Sequence, residues 1–361
     1  MEWLPKLKAA IRSLMSSGIY YAKHPHFLTE KIDSAFCQFK VDERQANWKY
    51  NQKNKEKTME KHIKYILKYL IILSSLCHPI QASAQAKFTE IDGFILYSEH
   101  YPNPQSEFKG TIVFQNGSGS PLNVWTDNTT FFNCARQHGN ALMYDRSGLG
   151  QSPPDFSVSI KKPITAQLVH SKLMTLLKSN HIPGPYVLVS HSYGALYAGY
   201  FARKHPHLVA GMLMVDPVPN NYQYSDQILK NFKLTRAKLK NISSKEAYQL
   251  DDLKNPRESN MMTADSFYQQ LGFDKSKEQV NELPEMTNKF PITIISSSDM
   301  EKNPSIKGDW YALQKQWLNQ HPESKIFKAR GGHFLQLDRP KLICEELNKL
   351  MKIAIQSSKT K

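Results

Sequence analysis

The sequence predicts an α/β fold: a mostly parallel central sheet with helices on both faces and a helical cap inserted late in the chain. Three observations predict it. Short apolar or β-branched runs alternate with helical patterns from Phe88 onward, which is how strand–helix–strand units read in a sequence. The run 186–189 passes through Ser190-His191-Ser192-Tyr193-Gly194 straight into a helix, a strand–turn–helix with serine at the turn. Roughly seventy residues, 220–286, then separate two buried strands and carry lysine-rich helical stretches such as 226–240. About 275 residues follow position 86, enough for one such domain with a large core.

The elements follow in order. Residues 111–114 (Thr-Ile-Val-Phe) read as a strand leading into the glycine-rich loop Gln115-Asn116-Gly117-Ser118-Gly119-Ser120. Residues 141–144 are a strand ending in the turn Asp145-Arg146-Ser147-Gly148-Leu149-Gly150-Gln151-Ser152. Gly184-Pro185 opens the next strand, 186–189, and Ser192 follows it. A nucleophile presented on so sharp a turn needs small neighbours two residues away, here Ser190 and Gly194. The helix beyond carries Gly194, Ala195, Ala198, Gly199 and Ala202, which let it lie close against strands. Strand 209–215 ends at Asp216-Pro217, strand 291–295 runs into Ser296-Ser297-Ser298-Asp299, and strand 325–329 runs into Gly331-Gly332-His333-Phe334. Asp338-Arg339-Pro340 starts the last helix.

A serine hydroxyl becomes a competent nucleophile only beside a base that an acid orients. Ser192 is the candidate nucleophile, and His333, in a glycine-flanked loop beyond a strand end, is the candidate base. Asp299 is placed first as the acid because it follows a strand and precedes the terminal one; Asp216 is the alternative. An oxyanion hole needs two backbone N–H groups aimed at the developing charge. Tyr193 supplies one and Ser118, or its neighbour Gly117, the other. The glycine loop lacks the patterns of a phosphate cradle or dinucleotide site. No cofactor or metal site is expected, since His205 and His207 only bracket a proline.

Taken together, Asn116-Gly117-Ser118-Gly119, the Asp145 to Ser152 turn, the Ser192 elbow, Val215-Asp216-Pro217, Asp299 and Gly332-His333 resemble the α/β-hydrolase superfamily across residues 88–356. The resemblance implies one hydrolase domain with a cap over the nucleophile at about 220–286. It implies a carboxylic-ester hydrolase, with an aminopeptidase or amidase, an acyltransferase, or an inactive binding protein of the same fold as alternatives. Haloalkane dehalogenases and epoxide hydrolases of this fold carry an aspartate at the elbow, where this chain has Ser192. The chain departs from the common pattern at Asn116 (often histidine), at Ser190 and at Ser296 (often glycines). Cap residues Met261, Met262, Phe267, Tyr268 and Leu271 are expected either to line an acyl pocket or to hold the cap down. In this fold the helices bearing Cys134 and Cys344 usually cover one face, which leaves a disulfide between them in an oxidising compartment or two separately buried thiols as the alternatives.

The N-terminal part reads differently. Residues 59–86 combine a basic start at Met59, an apolar run and the small-residue pattern Ala82-Ser83-Ala84-Gln85-Ala86, the three regions of a secretory signal peptide, with cleavage after Ala84 or Ala86. Residues 1–58 lie upstream of it and are expected to be a non-native or disordered extension, leaving 87–361 as the hydrolase domain. The expected location is secreted or periplasmic; a membrane anchor at residues 65–80 is the alternative, but its apolar run is shorter than the ~20 residues a span requires. The net charge of +15 divides into +7 for residues 1–86 and +8 for the rest. The lysines of the domain are scattered, without basic–aromatic blocks, so the expected partner is a small ester or acyl substrate and not a nucleic acid.

Overall fold

A computed structural model describes residues 84–127, 129–240, 243–247, 264–304 and 306–359, all within the second of two units of the chain, Gln81–Lys361. The expectations for residues 1–58, for the signal segment up to position 83, for the anchor at 65–80 and for Met261 and Met262 lie outside the described residues.

Eight strands form one sheet: β1 (Gln85–Ile91), β2 (Phe94–Tyr101), β3 (Thr111–Gln115), β4 (Asn140–Tyr144), β5 (Tyr186–His191), β6 (Val209–Val215), β7 (Ile292–Ser297) and β8 (Lys325–Ala329). Their order is β1-β2-β4-β3-β5-β6-β7-β8, antiparallel through β1, β2 and β4 and parallel from β4 to β8. β3, β5 and β7 are buried along their whole length, as strands covered on both faces must be. β1, at the edge, exposes five of its seven residues. It begins at Gln85, two residues before the expected domain start, so a cut after Ala84 leaves it whole.

Side chains alternate between two cores. Val113, Leu188, Met212 and Met214 face one; Ile112, Phe114, Val187, Val189, Leu213 and Val215 face the other. The first is covered by α2 (Ala166–Ser179) and α3 (Gly194–Lys204), the second by α1 (Thr129–His138) and α10 (Pro340–Lys359). A disulfide joins Cys134 of α1 to Cys344 of α10, with Cα atoms 5.9 Å apart. Between β6 and β7 the described cap residues form α4 (Asp226–Leu239), α5 (Ser244–Ala247), α6 (Ala264–Leu271) and α7 (Phe273–Asn281). Phe267 and Tyr268 are fully buried in the first core, so they hold the cap to the sheet. Two short helices complete the site's surroundings, α8 (Trp310–Gln314) after β7 and α9 (Leu335–Asp338) after β8.

Candidate active site

The residues that matter sit at the carboxyl ends of the parallel strands, where open α/β sheets gather their binding crevice. In the β5–β6 register His191 lies opposite Val215, so Ser192 and Asp216 are the next residues out on adjacent strands. Both take positive φ, 53° at Ser192 and 41° at Asp216, a region non-glycine residues seldom occupy. At Ser192 that conformation turns the chain from strand to helix within two residues. The turn is held by the Ser192 N–H donating to the Val215 carbonyl at 3.2 Å, and by the Ser192 carbonyl accepting from Ala195 and Val218. A Cβ at Gly194 would lie 2.3 Å from the Gln115 carbonyl oxygen, so the small residue after the elbow is required for α3 to approach β3.

His333 reaches into this rim from the loop after β8. Its Nε2 is 2.7 Å from Ser192 Oγ and its Nδ1 is 2.6 Å from Asp216 Oδ2. The acid expected first is therefore corrected: Asp216, not Asp299, meets the imidazole. Register explains why. β6 is the immediate neighbour of β5, whereas Asp299 lies one strand further along and two residues past the end of β7. Asp299 is exposed, takes a hydrogen bond from the Ser298 hydroxyl at 3.1 Å, and approaches the base loop only through its N–H, 3.4 Å from the Gly331 carbonyl.

Asp216 is wholly buried, and its Oδ1 accepts three hydrogen bonds, from Trp310 Nε1 (2.7 Å), the Ser297 N–H (3.0 Å) and Gln314 Nε2 (3.0 Å). Burial raises a carboxyl pKa, but here the hydrogen bond and charge of His333, with the Ser297 and Trp310 donors, outweigh it and hold Asp216 below its ordinary value. Sequence reasoning missed Trp310 and Gln314; nothing in a short helix of mixed character marks them as donors to a strand end ninety-odd positions earlier.

Ser118 and Tyr193 line the same cleft as Ser192 and His333, and Gly117 packs on the elbow, where a Cβ would sit 3.3 Å from Ser192 Cβ. The loop is fixed from below by a buried cation. Arg146 donates to the carbonyls of Asn116 (2.9 Å) and Gly117 (2.6 Å), and its guanidinium lies 5.3 Å from the Tyr197 ring centroid. Asn116, the departure from the common histidine, is buried between Trp125 Nε1 and the Tyr144 carbonyl. The cap meets this assembly through Tyr193, whose hydroxyl donates to the Gln269 carbonyl at 2.7 Å, and through Gln270, whose amide donates to Ser118 Oγ at 3.4 Å. The cleft encloses about 160 Å³ and is walled by Val218, Tyr222, Tyr224, Ile228, Ile306 and Trp310.

Known proteins resemble this chain at the level of family and fold. A family model described as the alpha/beta hydrolase family matches residues 112–346. An uncharacterized Bacillus subtilis protein, YqjL, is 23% identical over 257 residues, which is 70% of this chain and 87% of that one. Among solved structures, the haloalkane dehalogenase DatA from Agrobacterium tumefaciens superposes with a TM-score of 0.54 at 20% identity, covering 75% of this chain and 97% of its own. A thermophilic esterase from Thermogutta terrifontis gives 0.52 at 15% identity, covering 76% and 99%. At such identities the structural likeness speaks for the fold alone.

Proposed function

The chain belongs to the alpha/beta hydrolase family, and from that premise we propose that it is a serine hydrolase acting on carboxylic esters with a compact acyl group. The observation that carries the reading is the unbroken hydrogen-bonded line from Ser192 Oγ through the His333 imidazole to the buried Asp216. In this reading His333 Nε2 accepts the hydroxyl proton as Ser192 Oγ bonds to the ester carbonyl carbon, and Asp216 steadies the imidazolium through Nδ1–H. The amides of Tyr193 and Ser118 take the negative charge that develops on the carbonyl oxygen. The C–O bond to the alcohol then breaks, and the alcohol leaves with the proton from His333. Water repeats the sequence on the acyl-enzyme: His333 takes its proton, the hydroxyl adds to the acyl carbon, and Ser192 regains its hydrogen as the acid is released.

One further feature supports the substrate class. The cleft volume is close to that of a cavity that accommodates benzene, about 150 Å³, which favours butanoyl- or benzoyl-sized groups over long chains. The Cys134–Cys344 disulfide supports a location outside the reducing cytoplasm.

The test pairs a fluorophosphonate probe with 4-nitrophenyl esters of rising acyl length. The expected result is labelling of wild type but not of Ser192→Ala, with kcat/KM highest near butanoate or benzoate. A folded wild type that is neither labelled nor active would overturn the hydrolase reading in favour of a binding protein; hydrolysis of aminoacyl anilides alone would overturn the ester.

A further inference from the structure

We infer that His191, the residue before the nucleophile, is a positioning residue that clamps the loop carrying the base to the loop carrying the oxyanion donor. The sequence marks it only as the variable residue of the elbow, and neither the proton path nor the oxyanion hole uses it.

Its ring is buried, with Nε2 2.9 Å from the backbone carbonyl oxygen of His333. A carbonyl can only accept, so the proton of this imidazole resides on Nε2. The other nitrogen, Nδ1, has no hydrogen-bond partner among the described residues and faces Gly117, where a Cβ would come within 2.9 Å of it. The flat ring fills a slot between Trp125, His333 and Phe334, with centroid distances of 6.5, 4.7 and 4.8 Å. One rigid group thus touches three parts of the site: it is covalently next to Ser192, packs on Gly117 of the oxyanion loop, and donates to the peptide of the base itself.

The buried Nδ1 stays without a proton because the ring stays neutral. Burial, with His333 nearby, pushes the His191 imidazole down to about 3, the Asp216 carboxylate opposing only in part. A second proton would create a cation on an unpartnered buried nitrogen. The base loop has other ties, among them Ser297 Oγ and the Asp299 N–H to the Gly331 carbonyl, the Gly332 N–H to Asp338 Oδ2, and the Leu337 and Asp338 N–H groups to the Phe334 carbonyl, but these hold the neighbours of His333 on either side. The bond from His191 is the one on the carbonyl of His333 itself, and so sets the tilt of the imidazole between Ser192 and Asp216. Displacements of about 1 Å at such a centre can cost on the order of 10²-fold in rate.

The experiment compares His191→Gln, His191→Asn and His191→Leu in the full protein. Glutamine places an N–H as many bonds from Cα as Nε2, whereas asparagine places one at the Nδ1 position and leucine has none. Retention of kcat within a few-fold in H191Q is expected, with roughly 10²-fold loss in H191N and H191L at nearly unchanged KM, and parallel losses in the rate of fluorophosphonate labelling. Equal losses in all three variants, or a change confined to KM, would overturn the clamp. If H191L does not fold, the H191Q and H191N pair decides the question by itself. The inference rests on Ser192 and His333 acting together: an unlabelled wild type would end both readings, while a labelled wild type with unimpaired H191N ends this one alone.

Discussion

Asp216 shows how much a single carboxylate position can depend on contacts distant in sequence. Its Oδ2 faces His333 while Oδ1 is occupied by three donors, so the group is oriented and kept ionised with no exposure to water. Asp216→Asn leaves the volume and the donors' partner oxygen but removes the charge that steadies the imidazolium and the acceptor that selects its tautomer. A fall in kcat on the order of 10⁴-fold is expected in the proposed ester hydrolysis, against less than about threefold for the exposed Asp299→Asn. A crippled D299N beside an active D216N would restore the order expected from the sequence. Both carboxylates were legible as strand-end residues. What decided between them, which strand lies beside β5, is a property of the sheet order and not of the local residues. Gly117 offers a second test at this scale. A methyl there would press on His191 Nδ1 at 2.9 Å and Ser192 Cβ at 3.3 Å, so Gly117→Ala is expected to lower kcat at least tenfold while the thermal transition stays close to wild type.

At the scale of elements, the loop after β3, the turn after β4 and helix α6 of the cap meet on one side chain. Arg146 donates to two carbonyls of the β3 loop and reaches Gln269 Oε1 of α6 at 3.5 Å. A planar fork can satisfy two carbonyls at once and lie against Tyr197; an ammonium cannot do both. Arg146→Lys should therefore lower kcat by one to two orders of magnitude through the oxyanion loop and destabilise by about 1–3 kcal/mol through unsatisfied carbonyls. Steady-state kinetics and urea unfolding on the same preparation check both parts. The six parallel strands, the turn at Asp145 to Ser152 and the helical character of the cap were legible, because local apolar runs and glycine turns specify them. The destination of Arg146 was not. Nor was the division of labour in the cap, where Phe267 and Tyr268 anchor while Gln270 and Ile228 face the cleft. Helical spacing says which residues share a stripe; it does not say which stripe meets which neighbour.

For the whole molecule, two features bear on stability, and the first is the cross-link from α1 to α10. Cys134 and Cys344 are 210 positions apart, so the bond closes most of the domain into one loop of the unfolded chain. Replacing both by alanine is expected to cost roughly 2–5 kcal/mol in urea unfolding. The second is a set of buried neutral imidazoles. Burial holds His170 near 4, with Lys204 and His205 adding to the effect, and holds His191 near 3, each below the ordinary value of 6.5. The unfolded chain therefore takes up protons below pH 6.5 that the folded one refuses, and stability falls with pH until the folded values are reached. Each group's slope grows to about 1.4 kcal/mol per pH unit as the unfolded imidazole charges, so the pair accounts for a loss of about 3 kcal/mol between pH 6.5 and 5. His100 and His205, also lowered by burial, act in the same sense. The carboxylates act in a lower window. Asp155, Asp216 and Glu346 are held below their ordinary values by their partners despite burial, so their stabilisation is present above about pH 4 and lost below it, while burial raises Asp145 and gives it the opposite sign. His170 separates the windows experimentally. Neither of its ring nitrogens has a hydrogen-bond partner among the described residues, and its ring packs against Tyr200, Phe201 and His205 at centroid distances of 5.1, 5.7 and 5.1 Å. His170→Phe keeps that packing and removes the proton site, so urea unfolding at pH 6.5 and pH 5 should show about 1.5 kcal/mol less pH-dependent loss than wild type. An unchanged pH dependence in the variant would mean that the imidazole is already protonated in the folded protein.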